Sequence, residues 1–262
     1  MGSSEPQPPS VLRRAFGILD VLERADAPVG LSEIACRSGI PKATTYRLLK
    51  QLADLGTVAR RGELYGLGFR LAALGSAVST HRRLREAALP YMMELCVLPG
   101  QAVHLGVLDG SASLNIEKAV RGFVERRGTV GLRRPLHATA LGKAILAELP
   151  EERSALLLAG PLERCTPQTL VRPGMLARQL RETRLTGLAY EREEWDLGFH
   201  SVAAPIGTGP EGIVAAISVL GRTTRFRLES PAPALREAAL GIARACGFSS
   251  MAGTAPAAGT AS

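Results

Sequence analysis

LSEIACRSGIPKATTYRLLKQLADLG, residues 31–56, decides how the first part of this chain folds. Ser32 stands where an N-cap would open a short helix carrying Ile34 and Ala35. Gly39 follows where a helix end needs a left-handed residue, and Pro41 suits the first turn of the next helix, where a missing N–H costs nothing. Leu48, Leu52 and Leu55, with Thr45 one turn earlier, recur at helical spacing and mark the buried face of that helix, which Gly56 ends. The opposite face presents Lys42, Ala43, Thr44, Tyr46, Arg47 and Lys50. These offer cations for phosphates, hydroxyls for hydrogen bonds and a guanidinium able to grip a guanine edge.

Upstream, Ser10 can cap a helix over 11–24 whose stripe is Val11, Ala15, Ile18 and Leu22, widened by Leu12, Phe16 and Leu19. Downstream, strands over 57–60 and 64–67 flank an Arg61-Gly62-Glu63 turn, which reads as a hairpin carrying Arg60 and Arg61. Three short helices followed by a hairpin is the winged helix-turn-helix layout. Its recognition helix, 41–55, lies in the major groove of double-stranded DNA while the wing meets backbone or minor groove. The competing reading is a three-helix bundle with a solvated basic face and no ligand.

Charge favours the first reading. The net charge is +8, and residues 1–83 hold +5 of it against +3 for 84–262. Residues 37–61 contain six basic side chains and a single acid, Asp54, a local excess that suits a polyanion. Apolar residues at 46% and charged residues at 21% describe an ordinary globular chain, and aromatics at 4% leave its cores to Leu, Ala, Val and Ile. Cys36, Cys96, Cys165 and Cys246 lack metal-ligand spacing, so neither a zinc site nor a disulfide framework is expected. No run of about 18 apolar residues and no signal pattern occurs, which predicts a cytoplasmic protein with no membrane partner.

The remainder reads as α+β. A helical pattern runs from Phe69 past His81, and Pro90 marks a kink or a new start. Strands over 102–108 and 112–119 surround Asp109-Gly110-Ser111, with further strands at 201–206 and 212–220 and helices at 137–149, 151–159, 175–186 and 235–246. Neighbouring hairpins imply an antiparallel sheet flanked by helices. The expected organisation is a disordered arm (1–9), a DNA-binding domain (10–70), a helix (71–84), a second domain (85–249) and a disordered tail (250–262).

A candidate ligand site opens at residues 133–143, which lead into a helix. The first amides of that helix could hold a carboxylate, with Thr139, Ala140 and Leu141 as the contacting stretch. Gly142-Lys143 is not a phosphate loop, because His137 and Ala144 stand where Gly and Ser/Thr are needed, and Lys143 reads as a helix-surface charge. His137 and His200 beside Glu193 and Glu194 lack metal-site spacing, and Trp195 reads as core or interface. With no nucleophile–base pair and no dinucleotide fingerprint, neither an enzyme nor a cofactor is expected.

The segments 10–19 (SVLRRAFGIL), 31–35 (LSEIA), 39–49 (GIPKATTYRLL) and 65–68 (YGLG) resemble the IclR family of bacterial regulators. So do 137–146 (HATALGKAIL), 193–198 (EEWDLG) and 203–205 (AAP) in the second half. The resemblance implies a ligand-responsive transcriptional regulator with a GAF-like effector domain, forming homodimers or homotetramers on a palindromic or pseudo-palindromic operator. It implies that 71–84 is a linker helix and 85–249 an effector-binding and oligomerisation domain. It also implies a pocket drawing on Glu191, Phe199, Ser201 and Ser218, for an organic acid or aromatic metabolite. Relatives often carry Ser at the place of Ala43 and Cys at the place of Ser201, so operator preference and ligand identity do not transfer. The hydroxyls of Ser201 and Ser218 serve either their own sheet or a ligand. Two other readings of the second half are a small-molecule enzyme and a pure oligomerisation module, and activators and repressors look alike at this level.

Overall fold

The structure, a computed structural model, describes residues 10–25, 27–76, 79–96, 101–121 and 130–251. The expected arm at 1–9 and, of the expected tail at 250–262, the residues from 252 onward lie outside the described residues; Ser250 and Met251 are described and donate to the Glu148 carboxylate at 2.7 and 2.8 Å. Internal contacts divide the chain into two compact units between Ser79 and Thr80.

The first unit opens with α1 (Val11–Glu23), capped by the Ser10 hydroxyl accepting from the Arg13 amide at 3.3 Å. A short strand, β1 (Val29–Gly30), then leads into α2 (Leu31–Ser38), α3 (Lys42–Asp54) and the hairpin β2 (Val58–Arg61) and β3 (Leu64–Leu67). Strand β1 is the element that sequence periodicity does not show, because two residues are too few to alternate. It pairs with β3 through Val29–Tyr65 and Gly30–Leu64. That pairing corrects the cap of α2: the chain is still extended at Gly30, so Gly30 holds the N-cap position and Ser32 already lies inside the helix. Gly39 ends α2 at φ 66°, as expected, and Pro41 sits at the N-cap of α3, one residue ahead of its expected place.

The buried stripe of α3 is Thr45, Leu48, Leu49 and Leu52. Leu55, expected in that stripe, is 52% exposed. It falls at the C-cap, just before the chain turns at Gly56 (φ 71°), while Leu49, outside the expected stripe, is fully buried. The stripe closes on Ile18, Leu22, Ile34, Val58 and Tyr65 in a small continuous core. After β3 comes α4 (Phe69–Ser76).

The second unit begins in α5 (Ser79–Leu95), which runs through Pro90 without a new start. Leu84, Ala88, Met92 and Leu95 form its buried stripe on both sides of the proline and hold the helix to its core. The strands are β4 (Ala102–Asp109), β5 (Ala112–Val120), β6 (Arg133–Pro135), β7 (Ala189–Arg192), β8 (Phe199–Thr208) and β9 (Val214–Arg222). Among the described residues they form one antiparallel sheet in the order β6-β5-β4-β9-β8-β7. Its centre is the pairing of β4 with β9, with Ala102 opposite Leu220. The helices are α6 (Ala140–Ala147), α7 (Glu151–Leu157), α8 (Pro173–Thr186) and α9 (Ala232–Cys246).

Period-two alternation sorts the sheet into two faces. Val103, Leu105, Val107, Val202, Ala204, Ile206, Ala215, Ile217 and Val219 cluster with α5 and α9. Ala203, Val214 and Ala216 face the other way and cluster with α6 and Leu180 of α8. Helix α6 is shorter than the expected 137–149 because β6 and a turn occupy the approach to it, and Thr139 is its cap, accepting from the Gly142 amide at 3.1 Å. Gly142 lets α6 meet that approach closely: a Cβ there would stand 2.4 Å from the Leu136 carbonyl oxygen. Gly142→Ala is therefore expected to destabilise the protein by about 1–3 kcal/mol through overpacking, read as a lower urea midpoint.

Candidate functional site

Helix α3 turns two kinds of surface outward and inward. Lys42, Ala43, Tyr46, Arg47 and Lys50 are exposed, with Thr44 half-buried beside them. Thr45 faces inward, its hydroxyl donating to the carbonyls of Ile40 at 3.1 Å and Pro41 at 3.2 Å. At the hairpin, Arg60 donates from Nε to the Gly62 carbonyl at 2.8 Å and lies 5.8 Å from the centre of the Tyr65 ring, while Arg61 is exposed. The result is an exposed ridge on α3 that carries the cations Lys42, Arg47 and Lys50 with the hydroxyls of Thr44 and Tyr46.

The second candidate is a cavity on the α6 face of the large sheet. Thr139, Leu141, Glu191, Phe199, Ser201 and Ser218 all line it, and so do His104, Asn115, Arg134, Trp195, Asp196 and Leu220. Ala140 is fully buried, in the core cluster with Leu136 and Ala144. Every strand of the sheet thus contributes: Arg134 from β6, Asn115 from β5, His104 from β4, Ser218 from β9, Ser201 from β8 and Glu191 from β7. The space left is about 20 Å³ for the centre of a water-sized sphere. That is room for about one or two waters, so an organic ligand must displace side chains to enter.

Arg134 and Asn115 were not singled out from the sequence. Strand alternation is the signal that would have found them: Arg133 points outward to pair with Asp109, which turns Arg134 inward. Arg134 is 92% buried (8% exposed) and its guanidinium lies 5.8 Å from the Trp195 ring centre. Burial lowers its pKa to about 10, with Glu191 opposing, so it stays cationic at neutral pH. Its Nε, and Nδ2 of the buried Asn115, have no hydrogen-bond partner among the described residues. Unused donors at buried atoms are costly unless an acceptor reaches them.

Glu191 is 2% exposed and organises the opposite wall. One carboxylate oxygen accepts from the amides of Glu194 (2.7 Å) and Trp195 (3.3 Å), and the other accepts from the Ser201 hydroxyl at 2.8 Å. Burial raises its pKa to about 7, against the lowering effect of those three hydrogen bonds. A carboxylate whose pKa is raised on folding binds more protons in the native state. Stability is then highest below about 4.5 as far as this group is concerned, and falls as pH rises to about 7. Glu191→Gln is expected to remove a pH-dependent loss on the order of 3 kcal/mol between pH 5 and 8, seen as flatter urea midpoints across that range.

Lys143 corrects the sequence reading. It is 1% exposed rather than on a helix surface, because α6 is covered on all sides. Its Nζ donates to both carboxylate oxygens of Glu194 (2.6 and 2.7 Å) and to the Tyr190 carbonyl at 3.1 Å. Burial pulls its pKa down, and the charge of Glu194 opposes that pull. The pair ties α6 to the segment 193–198, which carries Trp195 to the cavity. Glu193, in the same segment, holds a left-handed backbone (φ 58°), with its carboxylate accepting from the Gly198 amide at 2.8 Å. His137 is occupied by the Glu163 carbonyl at 2.8 Å. Among the described residues no cluster of three metal-ligating side chains occurs, and no helix is long and apolar enough to cross a membrane.

Comparison with known proteins matches both units. Residues 11–62 match the family described as IclR helix-turn-helix domain, and residues 76–246 match bacterial transcriptional regulator IclR C-terminal. The HTH-type transcriptional repressor AllR of Klebsiella pneumoniae is 31% identical over 244 residues, covering 90% of each chain. Its namesake in Salmonella paratyphi A is 32% identical over 257 residues, covering 94% of each. Among solved structures, an IclR homologue from Microbacterium hydrocarbonoxydans complexed with 4-hydroxybenzoate superposes with a TM-score of 0.79 at 27% identity, covering 90% of this chain and 99% of that one. The Thermotoga maritima IclR gives 0.72 at 30% identity, covering 90% and 98%.

Proposed function

Because this chain belongs to the IclR family of bacterial transcriptional regulators, we propose that its α3 ridge reads an operator in double-stranded DNA and that its C-terminal cavity holds the effector controlling that contact. The observation that carries the operator half is the two-sided character of α3: Thr45, Leu48, Leu49 and Leu52 buried, Lys42, Tyr46, Arg47 and Lys50 exposed. Lys42, Ala43, Thr44, Tyr46, Arg47 and Lys50 meet the major groove, and Arg60 and Arg61 meet its edge. The effector half rests on the cavity lined by Thr139, Leu141, Glu191, Phe199, Ser201 and Ser218, in the region where the chain resembles a protein solved with an aromatic acid.

Operators of this kind are read by pairs of helices, so the working form is a homodimer or homotetramer. Val11, Leu12 and Phe16, all more than 60% exposed on α1, are apolar surface for a second copy to cover. With both roles assigned, the protein acts in the cytoplasm as a regulator and not as an enzyme, and its named relatives make repression the expected sign. The test is footprinting on DNA flanking its own gene, with and without a metabolite panel. Protection of a palindrome that salt weakens steeply and one metabolite releases is the expected result. Binding indifferent to both sequence and salt overturns the operator reading. Operator binding that no metabolite changes overturns the effector reading.

A further inference from the structure

We propose that the cleft between α7 and α8 is a second small-molecule site, for a neutral, apolar molecule about the size of a benzene ring, and that its occupancy is transmitted to Trp195. The cleft shares no lining residue with the sheet cavity. It offers about 190 Å³ for the centre of a water-sized sphere, where the sheet cavity offers about 20 Å³. A hydrocarbon-lined cavity of about 150 Å³ is enough to take benzene. Leu176 and Leu180 of α8 are buried in the lining, and Leu158, Leu162 and Ala177 are half-buried. The polar groups there are engaged elsewhere. Arg184 donates from Nε to the Ala147 carbonyl at 3.1 Å and from Nη2 to the Leu149 carbonyl at 3.3 Å, which aims its guanidinium at the end of α6. The Ser154 hydroxyl donates to the Glu151 carbonyl at 3.0 Å. A charged guest would lose hydration without a dedicated partner, whereas a neutral apolar guest gains from burying its own surface.

The walls of the cleft are also supports of Trp195. Leu162 adjoins Glu163, whose carbonyl holds His137 at 2.8 Å on the approach to α6. The same loop reaches the segment 193–198 through Thr166, which donates to the Glu193 carbonyl at 2.6 Å, and Thr169, which donates to the Glu194 carbonyl at 2.7 Å. Arg184 grips the end of α6, and Lys143 of α6 holds the Glu194 carboxylate. A guest wedged between α7 and α8 therefore bears on two rows of contacts that converge beside Trp195, and close-packed interiors transmit strain.

The experiment uses the full chain, with toluene and cyclohexanol as neutral probes and benzylammonium and benzoate as charged ones. Thermal shift reads binding, and emission from Trp195, the single tryptophan of the chain, reads the link. At least one neutral probe is expected to raise Tm saturably and to shift Trp195 emission over the same concentration range. Ala177→Phe fills the cleft from α8 and is expected to weaken that probe by more than about tenfold. Ala155→Phe fills it from α7, at an exposed residue, and is expected to do the same. Neutral probes that do not bind, binding that both substitutions leave intact, charged probes whose binding the substitutions abolish, or binding with unchanged Trp195 emission would each overturn the proposal. So would substitutions that lower the sedimenting mass with no probe present, since the cleft would then belong to a second copy of the chain. None of these readouts uses the operator or its effector, so the proposal and the effector reading fail separately.

Discussion

Lys143→Met is expected to cost about 3–5 kcal/mol of stability, because it strands the Glu194 carboxylate in the interior without a counterion. Both side chains of the pair are nearly sealed from solvent, at 1% and 5% exposure. The Coulombic attraction between them offsets a large desolvation cost that each would otherwise bear alone. The double variant Lys143→Met with Glu194→Leu is expected to recover most of the loss, since an apolar pair of similar volume has no charge to desolvate. Urea midpoints for the two single variants and the double complete the cycle. Equal destabilisation in the single and double variants would show that packing around α6, and not charge compensation, sets the cost. The folded double variant has a second use. Its segment 193–198 is no longer tied to α6, so weaker effector binding at native stability would assign the ion pair a role in holding Trp195 against the cavity.

Arg47→Ala carries the largest expected effect on function. If the guanidinium grips a base edge, the variant loses about 1–3 kcal/mol on the operator, roughly a fivefold to 150-fold rise in Kd, and much less on random DNA. Lys50→Ala serves as the contrast. A lysine on phosphate weakens both DNAs alike and lowers the slope of log K against log salt by about one. Fluorescence anisotropy on an operator duplex and a scrambled duplex, at several salt concentrations, separates the two roles. Equal losses for Arg47→Ala on both duplexes would move Arg47 from base reading to backbone contact. Neither substitution disturbs the core, as both side chains are exposed.

The fold was largely legible because its first unit is built from local signals. Ser10 caps α1, Gly39 turns left-handed after α2, and Pro41 starts α3, each for a reason internal to a few residues. What the sequence hid was set by partners distant along the chain. The N-cap of α2 moved from Ser32 to Gly30 because β3, more than thirty residues away, pins Gly30 extended. Lys143 looked like a surface charge because a lysine is almost always one. Its burial depends on Glu194 and on the elements that cover α6, none of them visible from α6 alone. The cavity was half legible. Thr139, Leu141, Glu191, Phe199, Ser201 and Ser218 were reached through a helix start and a family resemblance, and the structure gathers them in one place. Asn115 and Arg134 were missed because their meaning depends on which way each strand turns its side chains, and β6 is only three residues long.

The sheet order has a consequence for the protein while it is being made. Strand β4 pairs with β9, so the centre of the sheet joins residues more than a hundred positions apart, and the cavity draws on every strand between Ala102 and Arg222. A ribosome releases the α3 ridge long before β9 exists, and short-range contacts assemble quickly while such distant ones assemble late. Each newly synthesised chain therefore passes through an interval in which its first unit can be complete while its sheet is not; on the reading proposed above, it then has a reading head but no ear.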